Sequence, residues 1–97
     1  MKVAYDIVEV RDADLEYTFE ENEFGLIGMA CTDISCGDVL TTKSMENFAV
    51  IKIYSYKREW ATISAGMSCA LVVKSLDKEV IFDHQAQELC GQLLYAK

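Results

Sequence analysis

Apolar and polar residues alternate with a period of two along most of this chain, which is the spacing of a strand with one buried face. Residues 3–10 carry enough apolar side chains to form a strand. Leu15, Tyr17 and Phe19 then alternate with Glu16, Thr18 and Glu20, the pattern of a half-buried strand with its charges in water. Residues 21–23 read as a turn and 24–31 as the return strand of a hairpin. Residues 32–37 form a second turn leading into Gly37-Asp38, 39–42 a short extended piece, and 43–47 a polar loop.

Residues 48–56 are rich in β-branched and aromatic side chains and predict another strand. Residues 57–64 are mixed, Ala65-Gly66 is a turn, and 67–74 is a nearly unbroken apolar run. A turn at 75–78 and a short extended piece at 79–82 follow. Residues 83–90 hold the one helical signal, with Ala86, Leu89 and Cys90 at i, i+3, i+4 spacing, and Gly91 closes it before a last strand at 92–96. Many short strands broken by turn signals predict an all-β fold, a single closed Greek-key-like barrel of six to eight strands over 1–97. At most one short helical turn is expected, near 84–90. Closure would also remove the strand edges that invite aggregation. Proline is absent, so Gly, Asn, Asp and Ser must shape the turns. Gly37 and Gly66 suit positive φ, and Gly28 inside a strand suits a tight bend.

The order of these pieces resembles the β-barrel that follows the GTPase domain in elongation factor Tu and its relatives. The matching segments are Phe24-Gly25-Leu26-Ile27-Gly28-Met29-Ala30 and Ile34-Ser35-Cys36-Gly37-Asp38-Val39-Leu40. Val50-Ile51-Lys52-Ile53, the Ala65-Gly66 turn and Cys69-Ala70-Leu71-Val72-Val73 follow at the family's spacing, and Leu89-Cys90-Gly91-Gln92-Leu93-Leu94 closes the series. The likeness spans residues 5–96 and implies a stand-alone translation-factor-like barrel. It departs at Asp33-Ile34, where the family usually has a glycine, and in DHQAQELC, which is longer than the family's segment. No phosphate-loop motif occurs, so no GTPase is implied. The family's barrel contacts transfer RNA, the ribosome or proteins, but no RNA-contacting residue can be matched to a position here.

Composition narrows the picture. The chain has 97 residues, of which 52% are hydrophobic, enough for one core without disulfides or a metal. The start meets Asp6 before any apolar leader could form, and no stretch is long and apolar enough to span a membrane. A cytoplasmic protein is therefore expected, with Cys31, Cys36, Cys69 and Cys90 as thiols. The net charge is −7, and −6 of it falls in residues 1–24, which hold eight acids against Lys2 and Arg11. Such a surface repels phosphate and favours a basic protein partner.

Four constellations carry candidate chemistry. Cys31 and Cys36 bracket a turn and are weak metal candidates, with Cys90 and His84 as further donors, but paired Cys-x-x-Cys spacing is missing. Small buried hydrophobes are the plainer reading of these cysteines. His84 is the one histidine, so any acid–base or Cys-His scheme would need it, and nothing in the spacing brings Asp83 or Cys90 to it. Lys52, Tyr54, Tyr56, Lys57, Arg58 and Trp60 interleave bases with aromatics. On one continuous strand Lys52, Tyr54, Tyr56 and Arg58 would share a face able to stack bases and hold phosphates. The acidic hairpin residues Glu16, Glu20, Glu21 and Glu23 suit docking to a basic partner.

No catalytic residues and no cofactor are expected. The leading expectation is a non-enzymatic binding module that docks a protein through the acidic hairpin and the 54–60 face. Two alternatives stay open: a small acidic inhibitor or immunity-type protein that neutralises a basic toxin or nuclease, and a small RNA-binding barrel using the Lys52–Arg58 face.

Overall fold

The computed structural model describes residues 2–11, 19–20, 22–77 and 87–97. Among the described residues nine strands appear in chain order: β1 (Val3–Arg11), β2 (Glu23–Ala30), β3 (Ile34–Ser35), β4 (Val39–Thr41), β5 (Asn47–Ser55), β6 (Arg58–Trp60), β7 (Thr62–Ile63), β8 (Ser68–Ser75) and β9 (Leu93–Ala96). The fold is all-β, as the alternation predicts. Among the described residues the helical content is one 3-10 turn, Gln87–Leu89, which places Leu89 in the core. Residues 15–18 of the expected strand at 15–19, the extended piece at 79–82 and residues 83–86 of the helical segment lie outside the described residues. No helix among the described residues is long and apolar enough to cross a membrane.

Six strands close a ring in the order β4-β9-β1-β2-β8-β5, with β5 returning to β4. Every pairing in that ring is antiparallel. β6 hangs from the outer half of β5 as a hairpin. β3 and β7 pair separately, Ile34 opposite Ile63, and both isoleucines are buried in the core at one end of the ring. The first hairpin differs from expectation: the ring partners of β2 are β1 and β8, so the return strand runs against residues 3–11.

The interior is filled by Ile7 and Val10 of β1, Phe24 and Leu26 of β2, Phe48, Val50 and Ile53 of β5, Leu71 and Val73 of β8, and Leu94 of β9. Phe24 and Phe48 meet edge to face, with centroids 5.7 Å apart and planes at 84°. That geometry sets the positive ring edge of one against the negative face of the other.

Two bulges keep polar side chains out of this interior. Strict alternation along β1 would put Glu9 on the face of Tyr5 and Ile7. Val8 is instead an extra residue between the pairs Ile7–Gly28 and Glu9–Ile27, which turns Glu9 out and Val10 in. Ile51 plays the same part in β5, between Val50–Val73 and Lys52–Val72, so that Lys52 turns away and Ile53 enters the core.

Gly28 and Tyr5 form one unit. A Cβ on Gly28 would overlap the Asp6 carbonyl oxygen and lie 3.0 Å from the Asp6 carbonyl carbon and 3.2 Å from Tyr5 Cε2. The missing side chain is what lets β1 approach β2 and the Tyr5 ring cross over it. The fully buried Tyr5 hydroxyl donates to the carbonyl oxygens of Cys69 (2.7 Å) and Leu26 (3.2 Å), tying β1 to β8 across β2. Burial, then the neighbouring Cys69, pushes the Tyr5 hydroxyl far above its ordinary pKa, so it remains a donor throughout the physiological range.

Candidate docking site

The basic-aromatic stretch does not form one face. The chain reverses at Tyr56 and Lys57, so that Ser55 pairs with Arg58, Tyr54 with Glu59 and Ile53 with Trp60. Side chains directly opposite one another share a face. Lys52, Tyr54 and Glu59 therefore stand on the outer face, and Arg58 and Trp60 on the other. The expected row of Lys52, Tyr54, Tyr56 and Arg58 is corrected on this ground. A two-residue loop folds what looks in sequence like one continuous strand.

Two of the three cations of the group, Lys52 and Arg58, have partners. Lys52 Nζ bridges Glu59 Oε2 at 3.2 Å, and this hydrogen bond and charge raise the Lys52 pKa. The Arg58 guanidinium lies 4.0 Å from the centroid of the Trp60 ring, a cation–π stack. Trp60 is half-buried, packs against the core, and donates its indole N–H to the Ser55 carbonyl at 2.8 Å. Trp60 thus braces the base of the hairpin.

The tip stands out. Tyr56 is 78% exposed. Tyr56 and Lys57 have φ of 52° and 61°, both in the left-handed region. A two-residue hairpin of this kind favours Asn-Gly because both central residues need positive φ. A tyrosine and a lysine there each carry about 1–2 kcal/mol of backbone strain. The turn chemistry is thus set against the local geometry, and the side chains presented to solvent are an aromatic and a cation.

Of the acidic group, Glu20 and Glu23 are described, while Glu16 and Glu21 lie outside the described residues. Glu23 lies opposite Lys74, and its carboxylate accepts the Glu20 backbone N–H at 2.9 Å. Its role includes holding its own loop. Glu20 is exposed.

The four cysteines are free thiols. Cys31 Sγ and Cys36 Sγ point to the carbonyls of Met29 (3.8 Å) and Trp60 (3.6 Å). Among the described residues no three His, Cys, Asp or Glu side chains gather in a group able to hold a metal. Cys69 is buried, and desolvation pushes its thiol up to about 11, far from a nucleophilic thiolate at neutral pH. His84 lies outside the described residues.

A cleft of about 200 Å³ at the β3 end includes Asp33, Asp38 and Lys97 in its lining. Both carboxylates are held by turns: Asp33 accepts the Ala65 N–H at 3.0 Å and Asp38 the Ser35 N–H at 2.8 Å. Sequence reasoning found the residues of the β5–β6 hairpin but missed its reversal. Tyr-Lys carries none of the turn signals that Gly, Asn or Asp supply. No family model matches this chain and no curated protein matches it, so the functional reading rests on these side chains.

Proposed function

We propose that this chain is a non-enzymatic docking module that engages a protein partner through the tip of its β5–β6 hairpin. The observation that carries the reading is the left-handed Tyr56-Lys57 pair. Local strain held in place by a surrounding brace concentrates at binding sites, where the side chain matters more than the comfort of its backbone. Here the brace is the Arg58–Trp60 stack together with the indole bond to Ser55. Tyrosine and arginine are also the side chains that most often dominate protein interfaces. The exposed Glu20 adds to the acidic field that would steer a basic partner.

The reading extends the resemblance to the second domain of the translational GTPases, whose barrel can serve as a protein-binding surface. A translation-associated partner follows by that analogy alone. Four free thiols suit a reducing, cytoplasmic setting. The RNA reading is the weaker one, because Lys52 and Arg58 are engaged by Glu59 and Trp60 and the net charge is −7.

The test is quantitative capture of partners from the source cells by three proteins: the unaltered chain, a Tyr56→Asn/Lys57→Gly variant, and a Glu20→Ala variant. Loss of the captured protein with the first variant, while that variant remains folded, is expected. Equal recovery by the tip variant would remove the proposal.

A further inference from the structure

The outer face of β9, β1 and β2 carries a second surface. Asp6 on β1 lies directly opposite Leu93 of β9 on one side and Met29 of β2 on the other. Val8, two residues along β1, falls on the same outer face by simple alternation, just ahead of the phase change at the bulge. Leu93, Met29 and Val8 are 36%, 41% and 69% exposed. Three exposed apolar side chains therefore surround one carboxylate. Among the described residues no cation pairs with Asp6, whereas the neighbouring Glu9 is bridged by Arg11 at 3.0 Å.

The bulge at Val8 is tied to the backbone around it. It sits beside Gly28, whose missing side chain lets β1 close on β2 at this point. It re-aims Glu9 and Val10 and leaves Val8 facing water. A strand that needed only to hide its apolar residues would not place a β-branched apolar one there in water. Leu93 also lines an open groove of about 320 Å³, together with Lys43, Gly91, Gln92 and Tyr95.

From this we infer that the Val8–Met29–Leu93 face docks a segment of a protein partner that carries an arginine or lysine between apolar side chains. The apolar side chains would cover Val8, Met29 and Leu93, and the cation would meet Asp6. Charge complementarity decides the occupant. A second copy of the chain related by a twofold axis would bring Asp6 toward Asp6 between molecules of net charge −7. A nucleic acid would set phosphate against the same carboxylate. The inference rests on the reading of the chain as a protein-docking module, but on side chains other than the hairpin tip.

The experiment titrates the 15N-labelled chain with a short synthetic peptide alternating arginine with leucine, read by amide shifts. A glutamate–leucine peptide is the control. Expected are shifts centred on residues 6, 8, 29 and 93, weaker binding at higher salt, and no comparable shifts with the control. Val8→Asp should weaken the peptide's affinity about tenfold or more and Asp6→Asn about threefold, while Tyr56→Asn/Lys57→Gly leaves it unchanged. Val8→Ser replaces Val8→Asp if the latter does not fold. Several results overturn the inference: shifts centred on Glu20 and Glu23, equal binding of the acidic peptide, or unchanged affinity in the Val8 and Asp6 variants. So do loss of peptide binding in the tip variant, a dimer in sedimentation equilibrium that buries Val8, and the same shifts on adding single-stranded RNA.

Discussion

Replacing Gly28 by alanine tests the unit on which the barrel's closure depends. The new methyl would overlap the Asp6 carbonyl oxygen, with the Asp6 carbonyl carbon at 3.0 Å and Tyr5 Cε2 at 3.2 Å. Carbon–carbon contacts settle at about 3.5–4.0 Å, so β1 must withdraw and the Tyr5 ring must tilt. Overpacking of this sort costs about 1–3 kcal/mol. Stretching the two Tyr5 hydroxyl bonds and the adjoining ladder adds about 1 kcal/mol for each bond weakened. Alanine recovers about 0.5–1 kcal/mol of glycine's entropy. The net loss is therefore about 2–4.5 kcal/mol, a large part of the roughly 5–15 kcal/mol that stabilises an ordinary domain. Urea unfolding followed by Trp60 fluorescence and far-ultraviolet circular dichroism reads it as a fall in midpoint at unchanged slope. Gly66→Ala is the companion. Its φ is 90° and the space around it is open, so the cost is backbone strain alone, about 1–2 kcal/mol. A Gly28→Ala protein within about 1 kcal/mol of the parent, or no worse than Gly66→Ala, would refute the close-approach argument.

Three further outcomes follow from the same geometry. Tyr5→Phe should cost about 1–2 kcal/mol in urea unfolding, because it removes the donor shared by the Cys69 and Leu26 carbonyls while keeping the ring. An unchanged midpoint would mean those bonds contribute nothing. The Cys69 thiol is raised in the folded chain from 9.0 to about 11, so its contribution is complete below pH 9 and is lost as pH rises toward 11. Unfolding midpoints should fall across that window, and Cys69→Ala should lessen the fall; an identical decline in both would exclude the thiol as a source. Tyr56→Asn/Lys57→Gly should raise stability by about 1–2 kcal/mol, since it installs the residues that a left-handed turn prefers. A lower melting temperature would show that the tip is not strained.

Much of the architecture was legible along the chain. Apolar density at 3–10, β-branched and aromatic side chains at 48–56 and the nearly unbroken apolar run at 67–74 mark β1, β5 and β8, because such side chains suit a pleated surface against a core. Gly37 and Gly66 mark turns and do adopt positive φ, which side chains with a Cβ resist. The hairpin tip was half legible: its aromatic and basic residues stand out by type, but Tyr56-Lys57 gives no turn signal, and the tight reversal is imposed by pairing on either side of it. The Val8–Met29–Leu93 face was not legible, because its members come from three strands.

The one-dimensional pattern by itself determined that the chain is built of strands, roughly where the longer ones β1, β2, β5 and β8 lie, and that its charge gathers toward the first quarter. Tertiary structure decided the phase of those strands. Only when β1 lies against Gly28, and β5 against β8, does one extra residue in each shift the alternation. That shift sends Val10 and Ile53 into the core and Glu9 and Lys52 outward. The physical reason is that a side chain's face depends on register with a partner strand, and the partner is distant in sequence.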